Sequence, residues 1–66
     1  MSDVETLKGE IKKLSARATT AKMNLHDLSE ELPLNWRSIM DVAGATYEAY
    51  AALESARKRL AALEAA

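Results

Sequence analysis

Two apolar stripes, laid in mirror order on either side of a short break, constrain this chain more than any other feature. The first is Val4, Leu7, Ile11, Leu14, Ala18, Ala21, Leu25 and Leu28; the second is Ile39, Val42, Thr46, Ala49, Leu53, Ala56, Leu60 and Leu63. Alternating steps of three and four put each set along one side of an α-helix. Between them lies Leu32-Pro33-Leu34-Asn35. Pro33 disfavours helical geometry at Leu32, and Asn35 is a good N-cap for a second helix. The expected layout is a single helical hairpin over 1–66, with helix one at about 3–31, a hinge at 32–35 and helix two at about 36–64. A helix that restarts after so short a break folds back on its predecessor. Val4 then faces Leu63, Leu7 faces Leu60, Ile11 faces Ala56 and Leu14 faces Leu53. Ala18 with Ala49, Ala21 with Thr46, Leu25 with Val42 and Leu28 with Ile39 complete the series.

Local signals agree with this layout. Ser2-Asp3-Val4-Glu5 reads as a capping box at the start of helix one. Ala65 and Ala66 are expected to fray. Gly44, inside helix two between Ala43 and Ala45, is either a tolerated interior glycine or a place of close approach by a neighbouring helix. The middle of the seam is thin, because Ala18, Ala21, Thr46 and Ala49 form two small layers between Leu-rich ones. The expectation is a narrow waist over which Tyr50 and Tyr47 fold inward, Tyr50 nearer the seam.

The fold class is therefore all-α: an antiparallel two-helix coiled-coil hairpin, expected to dimerise into a four-helix bundle. Ordering 66 residues costs on the order of 100 kcal/mol, and two rods touching along one line bury little to offset it. The apolar face of helix two is also wider than one neighbour needs, extended by Met40, Ala43, Tyr47, Tyr50 and Ala52. The core and dimer positions are thus Leu7, Ile11, Leu14, Ala18, Ala21, Leu25, Leu28, Ile39, Val42, Ala49, Tyr50, Leu53 and Leu60. The chain has no cysteine, so no disulfide or thiolate metal site braces it. An acidic start without a basic, apolar leader, and the absence of an apolar run of membrane-spanning length, predict a cytoplasmic protein that does not enter a membrane.

Catalytic constellations are missing. One histidine, no cysteine and no glycine-rich phosphate loop argue against an enzyme, as does a bundle too small for a pocket of several hundred Å³. The irregular region is the hinge end. Asp27, Glu30 and Glu31 sit in the last turns of helix one, where the helix dipole is already negative, and Arg37 sits in the first turn of helix two, where it is positive. Such departures mark functional surfaces, unless Arg37 and Lys22 pair with those carboxylates across the turn. His26 lies beside the seam, on a face with Lys22 and Glu30. It reads as a solvated histidine, or as a metal ligand if a two-fold axis supplies a second copy. Trp36 either plugs the hinge end or, with Leu34, forms an apolar patch for a partner. Met23 points away from the seam. The basic stripe Lys8, Lys12, Lys22 with Arg17 is interspersed with acids, and a formal net charge of -1 argues against nucleic acid.

The run Ala21-Lys22-Met23-Asn24-Leu25-His26-Asp27-Leu28, followed by Glu31-Leu32-Pro33 and Trp36, resembles the Rop-like small proteins encoded in nitrogen-fixation gene clusters. Leu7, Ile11, Lys12, Lys13, Leu14, Tyr47 and Tyr50 are also similar to that family. Lys-Met-x-Leu-His-Asp-Leu and Leu-Pro-x-x-Trp are the specific segments. The resemblance implies a two-helix antiparallel hairpin that dimerises, and a role in nitrogenase assembly, maintenance or protection. It places the family's signature histidine at His26, with Asp27 beside it. Asn24 and Arg37 stand where relatives often carry acids. Both changes remove negative charge near His26 and shift weight from a metal toward a protein contact.

The leading expectation is a non-enzymatic accessory protein that binds itself, as a homodimer, and a nitrogenase component or its cofactor-maturation machinery. The contact residues would be Met23, His26, Asp27, Glu30, Leu34, Trp36 and Arg37. No cofactor is expected. The alternatives are a divalent metal held by His26 from two protomers at a dimer interface, and a Rop-like RNA-binding dimer.

Overall fold

The computed structural model describes residues 3–65, and the Ser2 half of the capping box and Ala66 lie outside that range. Helix α1 runs Asp3–Glu31 and helix α2 runs Ile39–Ala65, joined through a turn and a single 3₁₀ turn at Trp36–Ser38. They lie side by side as a rod of 49 × 14 × 13 Å, so α1 spans nearly its whole length, as 29 residues at about 1.5 Å each require.

The repeat that writes the seam also packs it. Leu7, Ala18, Leu28, Ala49, Leu53 and Ala56 are buried. Ala18, Ala49 and Leu53 form the central cluster, with Ile11, Leu14 and Ala21 packed against it. The waist is narrow: Ala18 is 1% and Ala56 0% exposed. The Thr46 hydroxyl reaches across to the Ala21 carbonyl at 3.2 Å, which a short side chain manages only where the two backbones are close. That closeness overturns the expectation that Tyr50 and Tyr47 fold over the waist. Both tyrosines remain on the surface, Tyr47 78% and Tyr50 42% exposed, Tyr50 the more covered of the two. The outermost layers are looser. Ile39 and Leu63 are exposed, because an end layer has neighbours on one side only.

The turn also departs from expectation at Asn35. It does not cap with its side chain but takes the left-handed conformation (φ 60°), which Asn tolerates better than most residues. Its carbonyl accepts from the Ser38 N–H at 2.9 Å, and the Glu31 carbonyl accepts from the Leu34 N–H at 2.9 Å. These bonds close the reversal backbone to backbone, so the first turn after it is 3₁₀ and α2 begins at Ile39. The Leu32–Pro33 peptide is cis. Within the hairpin Gly44 has open space where a Cβ would stand, so no helix of its own chain approaches it.

Candidate functional site: the hinge end

Two helix ends and the turn between them make one end of the rod, and the sequence makes that end apolar. Leu34 falls outside the seam repeat, and Leu32 continues its spacing from Leu25 and Leu28 but lies one residue past the end of α1. Leu34 is 69% and Trp36 58% exposed. Trp36 therefore does not plug the hinge. Met23 and Met40, on the flanking turns of α1 and α2, are exposed as well. Leu32 and Met40 were not among the expected contact residues. The signal for Met40 is an apolar residue with no seam position to fill, and for Leu32 a seam step that falls beyond the helix break.

The charged groups around this patch are arranged differently from expectation. The Arg37 guanidinium lies over the Trp36 ring, 5.4 Å from its centroid, a cation–π arrangement. Arg37 and Lys22 do not pair with Asp27, Glu30 or Glu31: among the described residues neither has a carboxylate within 4.0 Å. The ring face, adjacent in sequence, holds the guanidinium where the carboxylates were expected to. The last turn of α1 carries no basic residue, so its acids stand against the helix dipole without compensation.

His26 Nε2 lies 3.7 Å from Glu30 Oε1 one turn on, with both side chains mostly solvated. The His26 carbonyl accepts from the Ser29 hydroxyl at 2.7 Å. Among the described residues no three His, Cys, Asp or Glu side chains are grouped so that they could hold a metal ion. Within one chain His26 and Glu30 offer at most two ligands, so a divalent metal, which ordinarily takes three or more, would need the same pair from a second protomer. The basic stripe is also partly committed: Lys8 contacts Glu64 across the helices at 3.9 Å.

Open grooves flank the seam, and one of about 470 Å³ at the terminal end is lined by Leu7, Glu10, Arg59 and Leu63 among others. The expectation that a hairpin offers no such volume is met only in that the groove is a shallow, open depression rather than an enclosed pocket.

Comparison with known proteins agrees with this architecture. The Rop-like family model matches residues 2–65. A UPF0437 protein of Azorhizobium caulinodans is 66% identical over 65 residues, covering 98% of this chain and 94% of that one. A UPF0437 protein of Frankia alni, named for its place in a nifX-nifW intergenic region, is 45% identical over 49 residues, 74% of this chain and 60% of its own. A solved NMR structure at 52% identity superimposes with a TM-score of 0.91 over 98% of this chain and 92% of that one. The chain belongs to the Rop-like family, and its fold is the helical hairpin. No helix among the described residues is long and apolar enough to cross a membrane.

Proposed function

We propose that this is a non-enzymatic accessory protein of nitrogen fixation that docks, through the hinge end, on a nitrogenase component or on the machinery that matures its cofactor. The observation that carries this reading is the solvent exposure of Leu34 and Trp36 together at the extremity of a 49 Å rod. Exposed aromatic anchors are costly to leave wet and are frequent hot spots of protein interfaces. The nif setting rests on the similarity to the Frankia protein named for its nifX-nifW position. Family fold by itself carries no function.

The stem has the separate role of holding two copies together. One chain exposes 5297 Å², against about 4,100 Å² expected for a compact monomer of its mass. The excess of roughly 1,200 Å² exceeds the roughly 800 Å² that each partner contributes to an ordinary interface. Met40, Tyr47 and Tyr50 on the outer flank of α2 are the apolar surface available for that contact.

The test is recovery of nitrogenase and maturation proteins by the tagged protein from cells grown without fixed nitrogen, against Trp36→Ala. Recovery is expected to fall at least about tenfold in the variant, the scale of a hot-spot truncation. Equal recovery with both proteins would remove the hinge end from the reading.

A further inference from the structure

We propose that the surface receiving the hinge tip is a protein surface in which an apolar pocket is bordered by lysines and arginines. This rests on the docking role above and specifies the partner's chemistry. Exposed apolar side chains and unbalanced charge are concentrated at the same end of the rod. Of the nine large apolar residues exposed among the described residues, six (Met23, Leu32, Leu34, Trp36, Ile39 and Met40) lie on the tip and its flanking turns, Tyr47 and Tyr50 lie by the waist, and Leu63 lies at the other end. Residues 22–41, the tip with its flanking turns, set two cations (Lys22, Arg37) against four carboxylates (Asp27, Glu30, Glu31, Asp41), a net charge of −2. With the whole chain at -1, the remainder is positive by one.

The ion pairs divide the same way. Lys8–Glu64 and Arg59–Glu10, at 3.9 Å each, join the helices at the terminal end, and Lys58–Glu54 lies on α2 nearby at 3.4 Å. At the tip His26–Glu30 is the one such contact among the described residues. Among the described residues Asp27, Glu31 and Asp41 have no cation within 4.0 Å. Arg37, the nearest candidate in sequence, is held over Trp36.

The sign of this charge selects among the surfaces an exposed tryptophan suits. Anionic lipid headgroups attract basic segments and repel an acidic one. Nucleic-acid phosphates repel it likewise. A second copy meeting the tip end to end would set −2 against −2, and the surface assigned above to a copy alongside is the flank of α2 rather than Leu34 and Trp36. A pocket rimmed with Lys and Arg matches both the apolar centre and the acidic border. There Leu34 and Trp36 fill the pocket, while Asp27, Glu30 and Glu31 steer the encounter and speed association.

The experiment measures association and dissociation of the full chain with each purified nitrogenase component and maturation protein, at low and at high sodium chloride. The triple variant Asp27→Asn/Glu30→Gln/Glu31→Gln and Trp36→Ala are run alongside, with helicity checked by circular dichroism. The protein that binds is expected to lose about tenfold in association rate from low to high salt. The triple variant is expected to start near the high-salt rate, and Trp36→Ala to dissociate faster. Binding that ignores salt and the triple variant but needs Trp36 would overturn the basic rim while leaving docking intact. Capture of the chain by phosphatidylserine vesicles, or tip-dependent self-association, would overturn it in favour of those occupants. Absence of binding to every component would remove the docking role, and this inference with it.

Discussion

The Thr46 side chain donates across the hairpin to the carbonyl of Ala21, at 3.2 Å, while the Val42 carbonyl on its own helix stands at 2.8 Å. A hydroxyl has one proton, so the two acceptors share it, and the nearer bond anchors the rotamer from which the longer one is made. The contact ties the register of the two helices at one layer, where a slip of a single residue would separate the groups. Replacing Thr46 by Val keeps the volume and removes both bonds. Chemical denaturation is expected to register a loss of about 0.5–1.5 kcal/mol, the net worth of one hydrogen bond. Thr46→Ser should keep most of it. An unchanged midpoint for Thr46→Val would mean that the waist is held by packing alone.

Ala18 tests that packing directly. It is almost fully buried beside Ala49 and Leu53, and the backbones are too close for a larger residue. Ala18→Leu is expected to destabilise by about 1–3 kcal/mol through overpacking, visible as a lower thermal midpoint. A neutral or stabilising Ala18→Leu would mean that the waist holds unfilled space.

The stem was legible from residue spacing because a hairpin seam is a one-dimensional code. Ala21 and Thr46 occupy matching places in two mirror series, and the hydrogen bond between them is what that matching requires. The tip was legible only in part. Trp36, Leu34 and Met23 stood out as apolar residues without a seam position, and all three are exposed. Their surroundings were not readable. Asn35 takes a turn role rather than a capping role because backbone bonds from Leu34 and Ser38 close the reversal first. Arg37 stacks on Trp36 instead of reaching Glu30 or Glu31, a choice among nearly equal surface contacts that no periodicity encodes. The tyrosines failed for a related reason. Spacing says which side of α2 carries Tyr50, but not how near α1 stands, and that distance decided the matter.

Gly44 separates the hairpin from any larger assembly. In one chain a Cβ at this position meets nothing within 4 Å, so Gly44→Ala should only remove the helix-weakening effect of glycine. The expected gain is about 1 kcal/mol, or roughly 4–8 °C in thermal midpoint for a domain of this size. Sedimentation of the same variant reports on the copy alongside. A higher midpoint with unchanged mass places Gly44 on free surface, whereas a lost dimer would place a second chain against it.

Trp36→Ala distinguishes a docking anchor from a structural plug. With more than half its surface in solvent, Trp36 contributes little burial, and its truncation forfeits chiefly the stacking of Arg37. The expected cost is about 0.5–1 kcal/mol, against about 3–5 kcal/mol for removing a tryptophan from a core. The residue is the only tryptophan in the chain, so its fluorescence reports on the tip without labelling. Emission from the free protein should be that of a hydrated indole, quenched readily by acrylamide, and should shift to the blue when the tip is covered. A core-sized loss of stability, or an indole already shielded in the free protein, would return Trp36 to the fold and leave the hinge end without its anchor.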